Sequence, residues 1–571
     1  MKKNRLLQLK NKLSSASLKK TLSRLDPFGL HYGVFFLALL FSFGSSCQVK
    51  RNQKRSDLAE LHLNIPYDPY TLDPRKGGDL TSSTMQFLLF EGLTRMTPYS
   101  TVSLGMAEKI DISEDKKTYT FYLRKAYWSN GVPVTAFDFA QTWKDMLNPN
   151  FSCPNAHLLY PIKNAEAAKR GLVLERQIGI RALDYQTLEV YLEEPTPFFL
   201  EMLSFCVYFP IYQNVATRIA KWAECTGQDF ICNGPYRLVE WRRNNEIILE
   251  KNPYYWDKEH VELDRISISI MDNEATALQM FERDELDVLG LPFTGIPSDA
   301  VPSLRDKGLI KTTSLPASTI CCFNMHAFPF TNVNIRKAFA YAINRQELVE
   351  NITHMNEEIG PSFIPKSLNG YDLPPFFKDG DVETARIFLR KGLRELNLKE
   401  EDLDNAITLL HASSGVYPKI AEALQNQWQK ALGIRVKLAR HDYRVFIDKL
   451  TKRNYQMAEC AWIAQYGDPM NFFERLKIKS HNKNYPAYEN PQYVELLEKS
   501  SQYIDSQKRF TILQEAERLI ADEMPLTTLY HWRTPYLQKP HVENLVFSNS
   551  GRFLLQQIHL QKMGAKEVRD E

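Results

Sequence analysis

The sequence lacks the short motifs that mark the common catalytic sites. It contains no His-Glu-x-x-His pair, no Gly-rich phosphate loop and no Gly-x-Ser-x-Gly elbow. Its twelve histidines form no cluster with the spacing of metal ligands. These absences argue against a zinc protease, a nucleotide hydrolase and a serine hydrolase, so we expect no enzyme activity, no metal site and no cofactor. An exported hydrolase whose site is assembled from scattered residues remains the alternative.

Cysteine is scarce, and neither sign of charge dominates the chain. Eight cysteines among 571 residues are too few for a fold built on disulfides. Apart from the adjacent Cys321 and Cys322, only Cys225 and Cys232 are closely spaced, and they could close a small loop in an oxidising compartment. The 71 Lys and Arg residues against 68 Asp and Glu residues leave a net charge of +3, which gives no reason to expect a nucleic-acid partner.

Long apolar runs are also missing, and the marked apolar segment at residues 34–43 (VFFLALLFSF) is short. It follows a basic leader and precedes small residues and Cys47, which is typical of an export signal rather than of a membrane-spanning helix. Small residues before Cys47 resemble a lipoprotein signal, in which this cysteine is acylated and becomes the mature N-terminus. Gly44 stands where a Leu-like residue is usual, so a plain cleaved signal or a retained anchor stays open. Residues 48–57 are polar and basic and predict a tether.

What the chain does contain is an ordinary globular composition, with 44% hydrophobic and 24% charged residues. Its length favours two or three domains. The most informative stretch is residues 105–149, where the alternating run Tyr119–Leu123 predicts a strand and residues 129–133 (SNGVP) have turn chemistry. Thr135 is placed to cap an amphipathic helix. The predicted apolar face of that helix consists of Phe137, Ala140 and Trp143.

Further along, the hydrophobic periodicity predicts alternating strands and helices. The predicted segments are a strand at 61–65, a tight turn at 233–235, an amphipathic helix around 335–342, a strand–helix–strand unit at 409–438, and a helix ended by Pro525 before a strand at 527–531. The strand–helix–strand unit fits a parallel or mixed sheet.

Residues 105–149 closely resemble the signature of the family-5 solute-binding proteins, the peptide receptors of bacterial ABC importers. Further motifs that resemble this family follow in order, so that the resemblance covers residues 58–553 and is specific. These motifs are Leu72-Asp73-Pro74, Phe90-Glu91-Gly92-Leu93, Asn233-Gly234-Pro235-Tyr236, Asn252-Pro253-Tyr254-Tyr255-Trp256, residues 333–345 and residues 515–526.

The resemblance implies an α/β protein with the type 2 periplasmic binding protein fold, in which two lobes enclose a cleft and an additional domain is inserted in the first lobe. Residues 1–47 would then be the export signal, and residues 48–57 the tether. The expected boundaries are 58–91, 198–312 and 531–560 for lobe I, 92–197 for the inserted domain, 313–530 for lobe II, and 561–571 for a tail.

The resemblance also implies where the ligand is held. Family members bind an extended peptide between the lobes through backbone hydrogen bonds, and an aspartate pairs with the α-ammonium of the ligand. Aligning Trp462 and the Asp468-Pro469 turn puts Gln465 at the position of that aspartate, and a neutral amide loses the charge assistance. Three explanations are open: Glu459 or Asp468 supplies the charge, the ligand lacks a free α-ammonium, or the affinity for ordinary peptides is low.

The expected ligand-binding residues are Trp462, Gln465, Glu459, Asp468, Tyr466 and Leu80. Each has a plainer interpretation from its residue type alone. Asp468 is equally suited to a turn, Trp462 to core packing and Glu459 to a solvated surface. The position of Leu80 rests on an alignment of the segment Gly77-Gly78-Asp79-Leu80.

The implied function is that of the substrate-binding component of an ABC importer, which captures oligopeptides or peptide-like solutes and delivers them to the permease. The expected partners are a peptide or peptide-like ligand, an inner-membrane permease and, through the N-terminal lipid or signal anchor, the membrane. We expect a monomer in the periplasm, anchored as a lipoprotein. A receptor for a metal chelate, haem or a cell-wall fragment is the alternative, for which His326, His411 and His441 are the loose candidates for a metal clamp.

Overall fold

A computed structural model describes residues 58–97, 101–360, 362–368, 374–503, 505–547 and 557–561. The expected export signal, the tether up to residue 57 and the lipidation site Cys47 lie outside the described residues. Among the residues that are described, no helix combines the length and the apolar character needed to cross a bilayer.

The strands of the described chain are β1 (Glu60–Ile65), β2 (Thr94–Met96), β3 (Val102–Leu104), β4 (Ala107–Ile112), β5 (Thr118–Leu123), β6 (Ile180–Ala182), β7 (Thr187–Tyr191), β8 (Tyr236–Arg242), β9 (Glu246–Lys251), β10 (Arg265–Ile270), β11 (Val288–Gly290), β12 (Lys311–Phe323), β13 (Ile407–Ala412), β14 (Val436–His441), β15 (Met457–Ile463), β16 (Leu526–Gln538), β17 (Val542–Glu543) and β18 (His559–Leu560).

The α-helices are α1 (Leu80–Leu89), α2 (Ala136–Leu147), α3 (Ala165–Lys169), α4 (Phe199–Met202), α5 (Gln213–Arg218), α6 (Glu274–Glu282), α7 (Val301–Asp306), α8 (Val333–Tyr341), α9 (Arg345–Leu348), α10 (Val382–Leu396), α11 (Glu400–Leu403), α12 (Tyr417–Leu432), α13 (Tyr443–Thr451), α14 (Met470–Phe473), α15 (Pro491–Ser501) and α16 (Ser506–Glu523).

Three larger sheets organise the molecule. Lobe I is built on a four-stranded sheet in the order β1-β10-β9-β8, in which β1 runs parallel to β10. The inserted domain has an antiparallel sheet in the order β4-β5-β7-β6, and α2 packs against β6 and β7. Lobe II is built on a six-stranded sheet in the order β11-β16-β12-β15-β13-β14, which combines parallel and antiparallel pairs.

Two strands of thirteen residues, β12 and β16, pair along most of their length and join the lobes. They include positions 313 and 530, where the predicted boundaries of lobe II lie. At their far end β16 pairs with β11, and Asp287 just before β11 accepts a hydrogen bond from the His62 N–H of β1 (2.7 Å). The connection between the lobes is therefore a two-stranded ribbon whose pairing continues into both lobes.

The predicted helix in the inserted domain is present, but its buried face differs from the prediction. α2 begins after Thr135, and the carboxylate of Asp138 accepts hydrogen bonds from the Thr135 N–H (2.8 Å) and hydroxyl (2.9 Å). Phe137 was assigned to the apolar face, and this is wrong, because its side chain is 47% exposed and packs on Tyr185 at the surface. The stripe that faces the core runs through Ala136, Phe139, Ala140, Trp143, Met146 and Leu147.

The strand–helix–strand unit at 409–438 is confirmed as β13-α12-β14, with β13 and β14 parallel. The amphipathic helix around 335–342 is α8, and its apolar side packs into the second core of the molecule. Cys225 and Cys232 carry free thiols, so the small disulfide loop considered from their spacing does not form in this structure. Burial raises the pKa of the Cys232 thiol to about 12, which makes it an unreactive thiol.

Candidate functional site

Trp462 and the loop that follows it lie where lobe II meets the other two parts of the molecule. Trp462 is fully buried near the end of β15, between the rings of Phe363 (5.4 Å between ring centroids) and Phe472 (6.1 Å). The guanidinium of Arg475 lies 5.2 Å from the centre of the Trp462 ring. Trp462 is thus a packed residue that fixes the start of the loop.

Gln465 connects lobe II to the inserted domain. Its Nε2 donates a hydrogen bond to Oδ1 of Asn155 (2.9 Å), and its backbone N–H donates to Oδ1 of Asn471 (3.1 Å). The other end of the Asn155 amide donates from Nδ2 to the carbonyl oxygen of Gly77 (2.9 Å). A single chain of hydrogen bonds therefore joins lobe II, the inserted domain and the start of lobe I.

The next two side chains of the loop pack against lobe I. The buried ring of Tyr466 stacks on Phe198, with 5.3 Å between centroids and 3° between the ring planes. Beyond it, a Cβ at Gly467 would lie 3.5 Å from a carboxylate oxygen of Glu201, so the backbone passes close to this acid. The loop is held from both sides.

Asp468 is buried and already has a countercharge. Its two carboxylate oxygens form a two-pronged ion pair with Arg509 of α16, and Oδ1 also accepts the N–H of Met470 (2.8 Å). This arrangement occupies the carboxylate within the protein. Since Arg509 comes from a helix 41 residues further on, the local sequence held no signal for the pair.

Glu459 has the opposite character, because its carboxyl group is buried without a partner. Both carboxylate oxygens lack a hydrogen-bond partner within the described part of the chain. Burial raises its pKa well above the usual range, and the neighbouring Cys460 adds to the shift. Alternation along β15 directs Glu459 to the face opposite Trp462, towards Cys321, its partner across β12. The plainer interpretation of Glu459 as a solvated residue is wrong.

Leu80 is the first residue of α1 and is half-buried. Asp79 caps this helix by accepting the Ser82 N–H (2.8 Å). The pKa of Tyr443 in lobe II is raised by burial and then by Tyr67, Cys460 and Asp79. The start of α1 therefore faces the lobe II segment that includes Cys460, on the same side of the molecule as Gln465.

Sequence reasoning missed a group of basic side chains beside Gln465. His157 of the inserted domain meets His481 of lobe II edge to face, with 5.0 Å between ring centroids. Burial, Lys483, His481 and Arg475 lower the pKa of His157, and Gln465 partly offsets this. Burial, Lys483 and Arg475 lower the pKa of His481 to about 4, and burial with Arg475 lowers the pKa of Lys483 to about 7. The surroundings of Gln465 thus favour negative or neutral groups over positive ones.

A cavity of about 390 Å³ lies at the junction of lobe I, lobe II and the joining ribbon. It sits two strands from the Gln465 loop, because Tyr530 of its wall pairs with Thr319, which in turn pairs with Ala461 of β15. No group of three His, Cys, Asp or Glu side chains among the described residues is arranged to hold a metal ion. The geometry is that of a two-lobed binding protein with an interlobe site.

Comparison with known proteins identifies the family within that class. Residues 101–484 match the model of the bacterial extracellular solute-binding proteins, family 5 (middle). The chain is 36% identical to the oligopeptide-binding protein OppA of Bacillus subtilis over 512 residues, which covers 89% of this chain and 93% of that protein. The chain belongs to the family-5 solute-binding proteins, as its motifs predict, and it has the type 2 periplasmic binding protein fold with an additional domain.

Solved structures agree with this assignment. An oligopeptide-binding protein from Borrelia burgdorferi superposes with a TM-score of 0.79 at 29% identity, covering 88% of this chain and all of that chain. OppA of Listeria monocytogenes, in a structure with a bound peptide, superposes with a TM-score of 0.75 at 26% identity, covering 89% of this chain and all of that chain.

Proposed function

We propose that this chain is the substrate-binding component of an ABC importer and that it captures oligopeptides or peptide-like solutes between its lobes. The observation that carries the proposal is the interlobe position of the Trp462–Pro469 loop, which bonds to the inserted domain through Gln465 and Asn155. A ligand-binding cleft requires such a loop at the meeting point of lobes that can separate. Family membership and the peptide-binding relatives support the same function.

The proposed ligand contacts are Gln465, Tyr466 and Trp462 from lobe II and Leu80 from lobe I. Asp468 is paired with Arg509 in the structure, so we assign it the task of fixing the loop rather than of meeting the ligand. Glu459 lies on the other face of β15. Of the three explanations for the missing aspartate, charge supply by Asp468 therefore loses its support, and a ligand without a free α-ammonium or with low affinity gains support.

The proposed location is the periplasm, with the chain anchored through an acylated Cys47 and serving an inner-membrane permease. The apolar segment at 34–43 and the small residues before Cys47 support this placement. Intact mass measurement of the protein purified from membranes tests it, since acylation and cleavage should yield a chain that begins with a lipid-modified Cys47. A Cys47→Ser variant should lose the added mass and appear in the soluble fraction.

Calorimetry of the full-length protein with peptides of two to seven residues tests the binding function. Each peptide is measured with a free and with an acetylated N-terminus, and any molecule that co-purifies is identified by mass spectrometry. We expect binding of at least some peptides and unchanged peptide after long incubation. Absence of binding to every peptide and cell-wall peptide would contradict the proposal, and steady hydrolysis would favour the exported hydrolase.

A further inference from the structure

The cavity at the lobe junction has a composition that selects its occupant. Lobe I contributes Glu274 of α6 and residues 291–299, lobe II contributes residues 353–357 and 415–419, and β16 contributes residues 530–535. Its walls are largely apolar and include Ile296, Met355, Val416 and Trp532. Apolar walls of this kind suit the methylene stem of a long side chain.

Carboxyl groups stand among these apolar walls. Glu357 lines the cavity with only 8% of its surface exposed, and it accepts a hydrogen bond from the Thr353 hydroxyl (2.6 Å). Burial raises the pKa of Glu357 to about 7, and burial also raises the pKa of Glu274 across the cavity. Both carboxyl groups are therefore short of positive neighbours in the structure.

The charges around the cavity leave a carboxyl group in excess. Lys419 is paired with Asp299 (3.2 Å), so these two lining residues compensate each other. Arg533 from β16 then faces the two remaining acids, Glu274 and Glu357. Arg305 of lobe I is the closest cation to affect the pKa of Glu357, but its effect is the smallest of the causes, and its guanidinium donates to the His354 carbonyl (2.6 Å).

A further unpaired acid lies behind the wall of the cavity. Tyr530 lines the cavity, and burial raises its pKa, followed by the charges of Glu357 and, more weakly, of Glu459. Glu459 is completely buried and has no hydrogen-bond partner within the described part of the chain. Its location strengthens the negative character of this side of the junction.

We propose that this cavity is a subsite for a cationic side chain of the solute, with apolar walls around the stem and Glu357 as the counter-ion of the terminal charge. The inference rests on the proposed function, because it names the chemical class of solute that the same interlobe site prefers. The matching groups are the side chains of lysine, ornithine and related diamino acids. An ammonium group placed in the cavity would be charge-paired where it is otherwise costly to bury one.

The test compares lysine with norleucine, which has an apolar side chain without the ammonium. Calorimetry of the full-length protein uses pentapeptides that differ only by this exchange, made at each of the five positions in turn, with glutamate as a third residue. At one position lysine should bind about tenfold more tightly than norleucine, as one charge-assisted hydrogen bond allows. Glu357→Gln should abolish that preference while norleucine peptides keep their affinity. Glu350→Gln, which removes an exposed acid outside the cavity, should preserve it.

The preference should also depend on pH. Only ionised Glu357 pairs with the ammonium, and its pKa of about 7 means that ionisation proceeds between pH 6 and pH 8. The lysine–norleucine difference should therefore grow from pH 6 to pH 8. Equal binding of the two peptides at every position, tighter binding of glutamate, or an unchanged preference in Glu357→Gln would overturn this inference alone.

Two outcomes keep the inference separate from the proposed function. Absence of all peptide binding would overturn both, whereas binding of norleucine peptides without a lysine preference leaves the proposed function intact. If Glu357→Gln fails to fold, as circular dichroism would show, the lysine–norleucine comparison and its pH dependence on the unmodified protein decide the question.

Discussion

At the scale of single residues, the ion pair between Asp468 and Arg509 should be a major support of the ligand loop. Both side chains are buried, and removal of one partner from a buried pair leaves an uncompensated charge. We expect Asp468→Asn to lower the free energy of unfolding by about 3–5 kcal/mol, measured by urea denaturation. Asp448→Asn breaks an exposed pair with Lys452 and should have no measurable effect. Equal effects of the two substitutions would contradict the assignment.

Gln465 is the residue at which this chain departs from its family, and its replacement tests the position directly. Gln465→Asp should strengthen binding of peptides with a free α-ammonium by about tenfold, because the bond becomes charge-assisted. Acetylated peptides of the same sequence should not gain. Gln465→Asn, which is neutral but too short to keep the same bond to Asn155, controls for the loss of that contact. An equal gain for free and acetylated peptides would show that the residue does not face the ammonium.

The sequence could predict which loop matters but not the groups that surround it. Trp462 and the Asp468-Pro469 turn locate Gln465 because they are neighbours along the chain. Arg509, His157 and Glu357 reach the site from 41 to more than 300 positions away, and only the fold brings them there. For the same reason Glu459 could not be recognised as buried, since a lone Glu in a strand gives no sign of which face is covered.

At the scale of elements, the start of α2 offers a test of local stabilisation. The Thr135 hydroxyl donates to Asp138, whose carboxylate also holds the Thr135 N–H. Thr135→Ala removes the hydroxyl bond and should lower the free energy of unfolding by about 1 kcal/mol in urea denaturation. Thr511→Ala, at an exposed position within α16, should cause no loss. A larger loss at Thr511 would contradict the assignment of Thr135 as a cap.

Most elements could be predicted from periodicity, whereas their burial could not. The alternation at Tyr119–Leu123 and the spacing in β13-α12-β14 depend only on nearby residues, and the structure confirms both. Arg336 and Arg345, by contrast, are buried and donate to carbonyl groups next to and within β16, including Glu523 and Thr528. Sequence rules place arginine at the surface, and only the distant carbonyl groups explain its burial here.

At the scale of the whole molecule, the contacts between the lobes stand on two sides of the joining ribbon. On one side Gln465 reaches Asn155 and His157 meets His481; on the other, Lys419 reaches Asp299 and the Arg305 guanidinium reaches the His354 carbonyl. A ribbon of two paired strands can bend while keeping its hydrogen bonds, so opening has to break mainly these interlobe contacts. The closed form should therefore depend on the protonation of the groups at these contacts.

The histidine contact predicts that acid opens the molecule. In the closed form burial, Lys483 and Arg475 lower the pKa of both His157 and His481, the latter to about 4, whereas an exposed histidine titrates near 6.5. The closed form thus binds fewer protons than the open form, and its stability relative to the open form should fall as the pH drops below about 6.5 and continue to fall towards 4. Small-angle scattering of the unliganded protein should show a larger radius of gyration at pH 5 than at pH 7.5.

A double variant separates this histidine effect from general acid expansion. His157→Gln with His481→Gln keeps polar side chains at the contact but removes the groups that take up protons in this range. Lys483, whose pKa is about 7, remains in the variant, so any opening between pH 8 and pH 7 should persist. The change between pH 6.5 and pH 5 should shrink or vanish. An unchanged response over that interval would assign the opening to other groups, and no response in the unmodified protein would mean that the two histidines do not control closure.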